Sequence, residues 1–164
     1  MSISEMLVRE FDKETSKSQK TLERVPADKW DWKPHEKSGS LGWMAGHVAS
    51  LPGFGVLIST ASEFDIANAK PPKVEKGTDL LALLAKTSGE ARSAISRLTD
   101  AQMQESWSLK NGDRTIFSQP RYDMLRDMCF NHIIHHRGQL TVYYRLNDVP
   151  VPGLYGPSAD EKNI

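Results

Sequence analysis

Three of the five histidines in this chain lie within five positions, at His132, His135 and His136. Imidazole nitrogens bind divalent metals, transfer protons in catalysis, or form ordinary hydrogen bonds inside a protein. In an α-helix, residues four apart lie about 40° apart around the axis and about 6 Å apart along it. His132 and His136 therefore share a face, at the spacing that lets two imidazoles converge on one metal ion.

The face that contains His132 and His136 is predicted to point into the core. Steps of three and four residues from the pair reach a mostly apolar stripe: Tyr122, Leu125, Cys129, Leu140 and Tyr143. Two buried imidazoles disfavour each other's protonation and need a hydrogen-bond partner or a cation. His135 lies about 60° from His132 around the axis, so we expect it at the edge of the stripe, although an i, i+3 pair with His132 stays open.

His47 is the candidate for a third ligand. It lies on an apolar stripe of another predicted helix, beside the small residues Ala45 and Gly46, which permit close approach. A single histidine on such a face is more typical of a hydrogen-bonded core residue. Histidines on two facing helices of a bundle are instead typical of a metal site. The hypothesis is that His47, His132 and His136 hold one divalent metal ion.

Several neighbours of the pair have open roles. Cys129 lies one turn before His132, so Cys-x-x-His coordination is an alternative, but a buried core thiol is favoured. Gln139 is predicted either to hydrogen-bond a ligand imidazole or to satisfy only the backbone or solvent. Arg137 points away from the ligands and is interpreted as a packing or interface residue. Gly138 costs a helix about 1 kcal/mol relative to Ala, which indicates a close neighbouring helix or chain.

No glutamate follows the HExxH pattern of zinc hydrolases, so a general base has to come from elsewhere. Glu14 is the first carboxylate to test, because it falls close to the inward stripe of the first predicted helix. The alternative is a partly solvated glutamate at the edge of that helix. Trp30, Trp32, Trp43 and Trp107 either line a substrate mouth or anchor the core and loops.

The first two stretches with apolar residues at helical spacing lie in the N-terminal part of the chain. A capping-box pattern, Ser2 with Glu5, begins the first helix, which is predicted over residues of about 3–24. The second is predicted over about 40–62, and we expect a bend at Pro52.

Two more helices are predicted in the C-terminal part. Thr78 is the predicted N-cap of the third, which covers about 79–98. The fourth is predicted to begin at Ser118, with a proline in its first turn, and to end near Asn147.

The stretch between the third and fourth helices indicates a hairpin. Asn111-Gly112 separates two short runs of β-prone residues there. Four long helices with one long crossover predict an all-α fold, a four-helix bundle with a small β-hairpin between helices three and four. The length predicts a single domain over residues 1–164.

Composition narrows the partners and the compartment. Lys and Arg total 21, as do Asp and Glu, so no basic stripe argues for nucleic acid, and small molecules are favoured. The single cysteine excludes an intramolecular disulfide framework and fits a reducing compartment. No export signal and no run of about 20 apolar residues is evident, so a membrane association is not expected. We predict a cytoplasmic protein.

Three motifs together resemble the DinB-like (damage-inducible B) family of metalloenzymes. These are His47 in "LGWMAGHVASL", the HxxxHRGQ pattern from His132 to Gln139, and the ending "VPVPGLYGPSADE". The resemblance covers essentially the whole chain. It implies an up-down-down-up four-helix bundle, commonly a homodimer, with one divalent metal held by His47, His132 and His136. His135 occupies a variable position of the pattern that is not a ligand.

Three imidazole ligands leave an open coordination position, as in catalytic zinc sites. Such a site is expected either to activate water for hydrolysis or to hold a thiolate for transfer. Relatives of the family include bacterial thiol-dependent S-transferases and isomerases that use low-molecular-weight thiols, which favours the second. Zinc ranks first and nickel second as the metal. The alternatives are a bundle that binds metal or a small molecule without turnover, with a stress-response role, and a purely structural helical protein.

Overall fold

The first helix begins where the sequence supplies both halves of a capping box. In the computed structural model, which describes residues 1–70 and 72–162, α1 spans Ile3–Leu22. The Ser2 hydroxyl accepts from the Glu5 amide, and the Glu5 carboxylate accepts from the Ser2 amide. Apolar side chains of α1, such as Phe11, point into the core. The prediction for this helix is confirmed, with an end two residues earlier than expected.

Pro52 divides the second predicted helix into two. Helix α2 spans Leu41–Ser50, and α3 spans Gly53–Thr60. Proline has no amide hydrogen and its ring clashes with the preceding turn, so the chain bends where predicted and the helix is interrupted. The Ser40 hydroxyl caps α2 by accepting from the Trp43 amide.

The segment Leu41–Thr60 is also long and apolar enough to cross a membrane, contrary to the expectation that no run approaches that length. Its mean hydropathy is 1.4, and 61% of its apolar window is buried inside the protein. A core helix of a soluble protein passes the same test, so this is weak evidence for a membrane span.

The third predicted helix is α4, which spans Leu80–Ser96. Its N-cap is Asp79, whose carboxylate accepts from the amides of the first turn, so the prediction of Thr78 as the cap was wrong by one residue. A short helix that was not predicted, α5, follows at Asp100–Gln104 behind a Thr99 capping box.

The hairpin is present and forms part of a three-stranded sheet. The strands are β1 (Glu63–Asp65), β2 (Ser106–Asn111) and β3 (Arg114–Pro120). β2 pairs with β3 in antiparallel fashion and with β1 in parallel. The two turn residues are Gly112 and Asp113, one position later than expected, and Gly112 has a φ of 59°. β1 was not predicted, because three residues are too short to show an alternating pattern.

The last helical run is not α-helical throughout. It consists of α6 (Arg121–Met124), a π-helical segment (Leu125–Asn131) and α7 (His132–Arg145). Ser118 was predicted to begin this run, and that prediction was wrong. It belongs to β3, where its hydroxyl bonds with the hydroxyls of Ser106 and Ser108.

The four long helical regions pack against one another. α1 and α2 each contact α4 and α7, and α3 lies against α4 and the π-helical segment. The architecture is therefore mostly helical with a small sheet. This packing brings α2 and α7 together, and these are the two helices with the predicted metal ligands.

Candidate metal centre

The three predicted ligands meet where α2 faces α7. The ring centroids of His47 and His132 are 5.2 Å apart, those of His47 and His136 are 4.6 Å apart, and those of His132 and His136 are 4.7 Å apart. One nitrogen from each ring lies within 4.8 Å of the others. Each side chain is half-buried, so the cluster sits at the edge of the core with access to solvent. We call these three residues the histidine cluster.

One pair of ring nitrogens already has the spacing of two ligands of a divalent ion. His47 Nε2 and His132 Nε2 are 3.4 Å apart. Two nitrogens bound to one tetrahedral zinc ion at about 2.0–2.1 Å would be about 3.3–3.4 Å from each other. The donor set suits zinc, nickel, copper, iron and cobalt alike, because imidazole binds all of them.

All three imidazoles favour the neutral form that a metal requires. Burial, followed by the proximity of His136 and His132, lowers the pKa of His47 to about 4. Burial is also the main reason why the pKa values of His132 and His136 are lowered. At neutral pH the cluster therefore consists of unprotonated bases that face each other with no opposite charge between them.

The His136 ring is fixed by a hydrogen bond from its Nδ1 nitrogen. His136 Nδ1 donates to Gln139 Oε1 over 2.7 Å. Such a bond selects the tautomer and orients the ring. The prediction that Gln139 bonds one of these imidazoles is confirmed.

The two other possible ligands near the pair, His135 and Cys129, fall outside the cluster. His135 is exposed, and its ring meets that of His136 edge-on at 4.9 Å, so it is a neighbour and not a member. Cys129 is completely buried, its pKa is raised to about 12 by burial, and it packs near Gly55. The interpretation of Cys129 as a core thiol is confirmed.

The π-helical segment explains one error in the predicted stripe. Tyr122 was expected on the inward face with His132, but it is 36% exposed. The wider turns of the π segment lie between the two residues and change the angle between them. The predicted position of Tyr122 relative to His132 requires a continuous α-helix with 100° per residue, and the helix is not continuous here.

The Glu14 carboxylate is paired with other side chains and is not part of the histidine cluster. Its carboxylate accepts from Arg137 Nη2 over 2.5 Å, from the Tyr155 hydroxyl over 2.5 Å and from Lys17 Nζ over 2.7 Å. Burial alone would raise its pKa, but these three partners outweigh burial and lower it. Glu14 lies on the inward face of α1, as predicted, and the alternative of a partly solvated edge residue was wrong. Among the described residues, no carboxylate joins that cluster.

Arg137 was interpreted as a packing or interface residue, and the structure shows that it packs inside the protein. It is 1% exposed, and its guanidinium also donates to the Glu14 carbonyl, the Ser18 hydroxyl and the Tyr155 hydroxyl. Gly138 is exposed, and an added Cβ would meet nothing within 4 Å in the described chain. No neighbouring helix of this chain therefore accounts for that glycine.

Only one of the four tryptophans borders the histidines. Trp43 stacks on His47 with a ring-centroid distance of 4.9 Å and an interplanar angle of 16°. Trp107 is completely buried, Trp30 packs against Gly42, and Trp32 packs edge-on against a tyrosine. The core or loop-anchor interpretation holds for these three.

Comparison with known proteins supports the resemblance. The family model of the DinB superfamily matches residues 10–140, a span that contains the whole histidine cluster. The chain is 28% identical over 147 residues to the uncharacterized protein YjoA of Bacillus subtilis strain 168. This alignment covers 88% of this chain and 91% of that protein.

Two crystal structures are similar to this one. A DinB-like protein from Bacillus subtilis, YjoA, superposes with a TM-score of 0.71 at 21% identity, over 96% of this chain and 99% of that one. A DinB-like protein from Bacillus cereus ATCC 10987 superposes with a TM-score of 0.71 at 22% identity, and the match covers 94% of this chain and 98% of that one. At these identities the similarity shows a shared fold.

Proposed function

Because the chain belongs to the DinB superfamily and brings three neutral histidines together, we propose that it is a metal-dependent enzyme acting on a small molecule, of the thiol-dependent S-transferase or hydrolase type. The observation that supports it is the convergence of His47, His132 and His136 at distances that suit one ion. Zinc is the first choice of metal and nickel the second.

Each residue of the site has a defined part in this proposal. The three histidines would offer ring nitrogens to the ion, and Gln139 orients the ring of His136. A bound divalent cation supplies Lewis acidity, which lowers the pKa of a thiol or water and polarises a carbonyl or phosphoryl group. The half-buried position of the cluster leaves one side open for substrate.

Transfer to a thiol fits the surroundings better than hydrolysis does. Hydrolysis calls for a general base close to the attacking water. Among the described residues no Asp or Glu joins the histidines, and Glu14 is already bonded to Arg137. A free thiol has a pKa of about 8.5, well below that of water, and a thiol that coordinates a metal ion is deprotonated outright, so it needs no protein base. A low-molecular-weight thiol is therefore the proposed cosubstrate.

The proposal includes the arrangement of the whole molecule. The mutual packing of α1, α2, α4 and α7 supports a four-helix bundle, and the resemblance to the family implies the up-down-down-up order. We also propose a homodimer in the cytoplasm, for which the exposed Gly138 supplies a surface where another chain can approach closely. Light scattering that shows a monomer at micromolar concentration would refute the dimer.

A second candidate is a bundle that binds metal or a small molecule without turnover, with a stress-response role. It is favoured by the same lack of a free carboxylate beside the histidines. Turnover of a thiol-conjugation, ester or amide substrate that is lost on chelation would reject this candidate.

Metal analysis tests the site itself. Protein purified without chelator or affinity tag should contain about one divalent ion per chain, and His47→Ala, His132→Ala or His136→Ala should reduce it to below about a tenth. His135→Ala is the matched control, because it removes a neighbouring histidine that is not in the cluster. Full metal content in any of the three cluster variants would contradict the assignment. A screen of thiol cosubstrates with the metal-loaded protein follows.

A further inference from the structure

Trp43 is unusual among the large apolar side chains because it is both exposed and in contact with the histidine cluster. Its side chain is 52% exposed. It stacks on His47 and meets the ring of His136 edge-on, with centroids 6.3 Å apart and an interplanar angle of 88°. About half of this aromatic side chain is therefore apolar surface in contact with solvent, next to the proposed metal position.

The neighbouring backbone holds this indole in place. The Ser40 hydroxyl accepts from the Trp43 amide, which fixes the first turn of α2. Gly39 packs directly on the ring, since a Cβ at Gly39 would lie 2.4 Å from Trp43 Cε3. The Tyr143 hydroxyl of α7 in turn donates to the Gly39 carbonyl over 3.3 Å. The indole is therefore positioned before any ligand arrives, which reduces the entropy lost on binding.

A role in the core does not explain Trp43. Trp30 and Trp107 are buried, as expected for residues that stabilise the fold, whereas about half of the Trp43 side chain stays in water. Binding sites for small molecules are commonly walled by aromatic side chains, and two aromatic rings attract each other when stacked or edge-to-face. A cationic group is a poor occupant, because a divalent ion held by the adjacent histidines would repel it.

We propose that Trp43 is a specificity-determining residue, and that the substrate has an aromatic or other flat apolar group next to the group that reaches the metal. This inference rests on the proposed function, because it places the ligand at the histidine cluster. It adds the class of substrate, which the metal site alone does not define. Small aliphatic molecules with the same metal-binding group are expected to bind more weakly.

Two hydroxamates provide a matched pair of probes. Acetohydroxamate and benzohydroxamate share one metal-binding group and differ in a methyl or a phenyl substituent. Their dissociation constants for the zinc-loaded protein can be measured by isothermal titration calorimetry. We expect benzohydroxamate to bind about tenfold more tightly to the wild type, the size of effect that one aromatic contact gives together with its buried area.

Variants then assign the preference to Trp43. Trp43→Ala should bind the two probes within about twofold of each other, and Trp43→Phe should retain part of the difference. Phe117→Ala is the control, because Phe117 is an aromatic residue on β3 that is 39% exposed and outside the histidine cluster. All three variants should keep the zinc content of the wild type.

The two possible failures are distinguishable. A wild type that takes up no zinc refutes the metal site and the proposed function together. A zinc-loaded wild type without a preference for benzohydroxamate, or one whose preference survives in Trp43→Ala, refutes only the role of Trp43. The binding measurement needs no turnover, so it is independent of whether the natural reaction is known.

Discussion

Two polar clusters lie on different faces of α7, and they differ in how their hydrogen-bonding groups are satisfied. The arginine cluster consists of Glu14, Arg137 and Tyr155, in which opposite charges meet and one guanidinium donates to a carbonyl, a carboxylate and two hydroxyls. The histidine cluster contains three like bases, each with a lowered pKa and none facing an acid. The first joins opposite charges that satisfy one another, whereas the second gathers like groups that a cation would join.

The difference separates a structural role from a functional one. Arg137 and Glu14 are almost fully buried and join α7 to α1, while Tyr155 brings the C-terminal segment onto the pair. Removing one partner of such a pair leaves an uncompensated charge in the interior. The histidines are held close to one another at a cost in desolvation and mutual repulsion, which a bound cation would offset.

The largest expected effect on stability comes from the arginine cluster. Arg137→Met should lower the free energy of unfolding by about 3–5 kcal/mol, because it removes the buried guanidinium that faces the Glu14 carboxylate and the donor to the Glu14 carbonyl and the Ser18 hydroxyl. Urea denaturation of the metal-free protein measures this. Lys17→Ala is the matched control, since Lys17 bonds the same carboxylate from a more exposed position, and it should cost about 1 kcal/mol or less.

The same variant tests the separation of the two clusters. Provided that Arg137→Met is folded at low temperature, it should still bind one metal ion per chain, because no atom of Arg137 belongs to the histidine cluster. If the free energy of unfolding of Arg137→Met falls by less than about 1 kcal/mol, the arginine cluster does not stabilise the fold. If the folded variant no longer binds metal, the two clusters are not separate.

A smaller effect is expected from Gln139, which contacts the histidine cluster from outside. Gln139→Ala removes the acceptor for His136 Nδ1 and should weaken metal binding by about 10–100-fold. Competition with a chromophoric chelator measures the change in affinity. Gln139→Glu keeps an acceptor and should retain most of the affinity. Unchanged affinity in Gln139→Ala would show that the ring of His136 needs no orienting partner.

The histidine cluster could be predicted because its geometry depends on regular helix. His132 and His136 are four apart within α7, and α2 is regular around His47, so stepping by 100° per residue gives the correct faces. Gln139 follows from the same periodicity, because it lies one turn beyond His136. The four long helical regions were found for the same reason, together with the cap of the first at Ser2.

The parts that could not be predicted depend on non-local contacts or irregular backbone. Nothing local in the sequence announces the π segment, so Tyr122 was placed on the wrong face. Glu14 was misread because its partners Arg137 and Tyr155 are 123 and 141 residues away. β1 forms only because β2 provides hydrogen bonds for it, and three residues have no pattern of their own.

The smallest expected effect is a dependence of stability on pH that belongs to the histidine cluster. In the unfolded chain these histidines have pKa values of about 6.5, and in the folded protein all three are lowered, that of His47 to about 4. Between pH 6.5 and 4 the unfolded chain therefore binds more protons than the folded one. The free energy of unfolding of the metal-free protein should consequently fall as the pH drops through this window.

The size of this fall should be roughly 1–2 kcal/mol, because the rings are half-exposed and solvent screens part of the effect. His47→Gln isolates the contribution of His47, because glutamine does not titrate. The carboxylates that protonate in the same pH range are present in both proteins, so their effect cancels in the comparison. The difference in unfolding free energy between wild type and His47→Gln should change in favour of the wild type as the pH rises from 4 to 6.5. A difference that stays constant with pH would mean that His47 is protonated as easily in the folded protein as in the unfolded chain, and the contrast between the two clusters would then disappear at this residue.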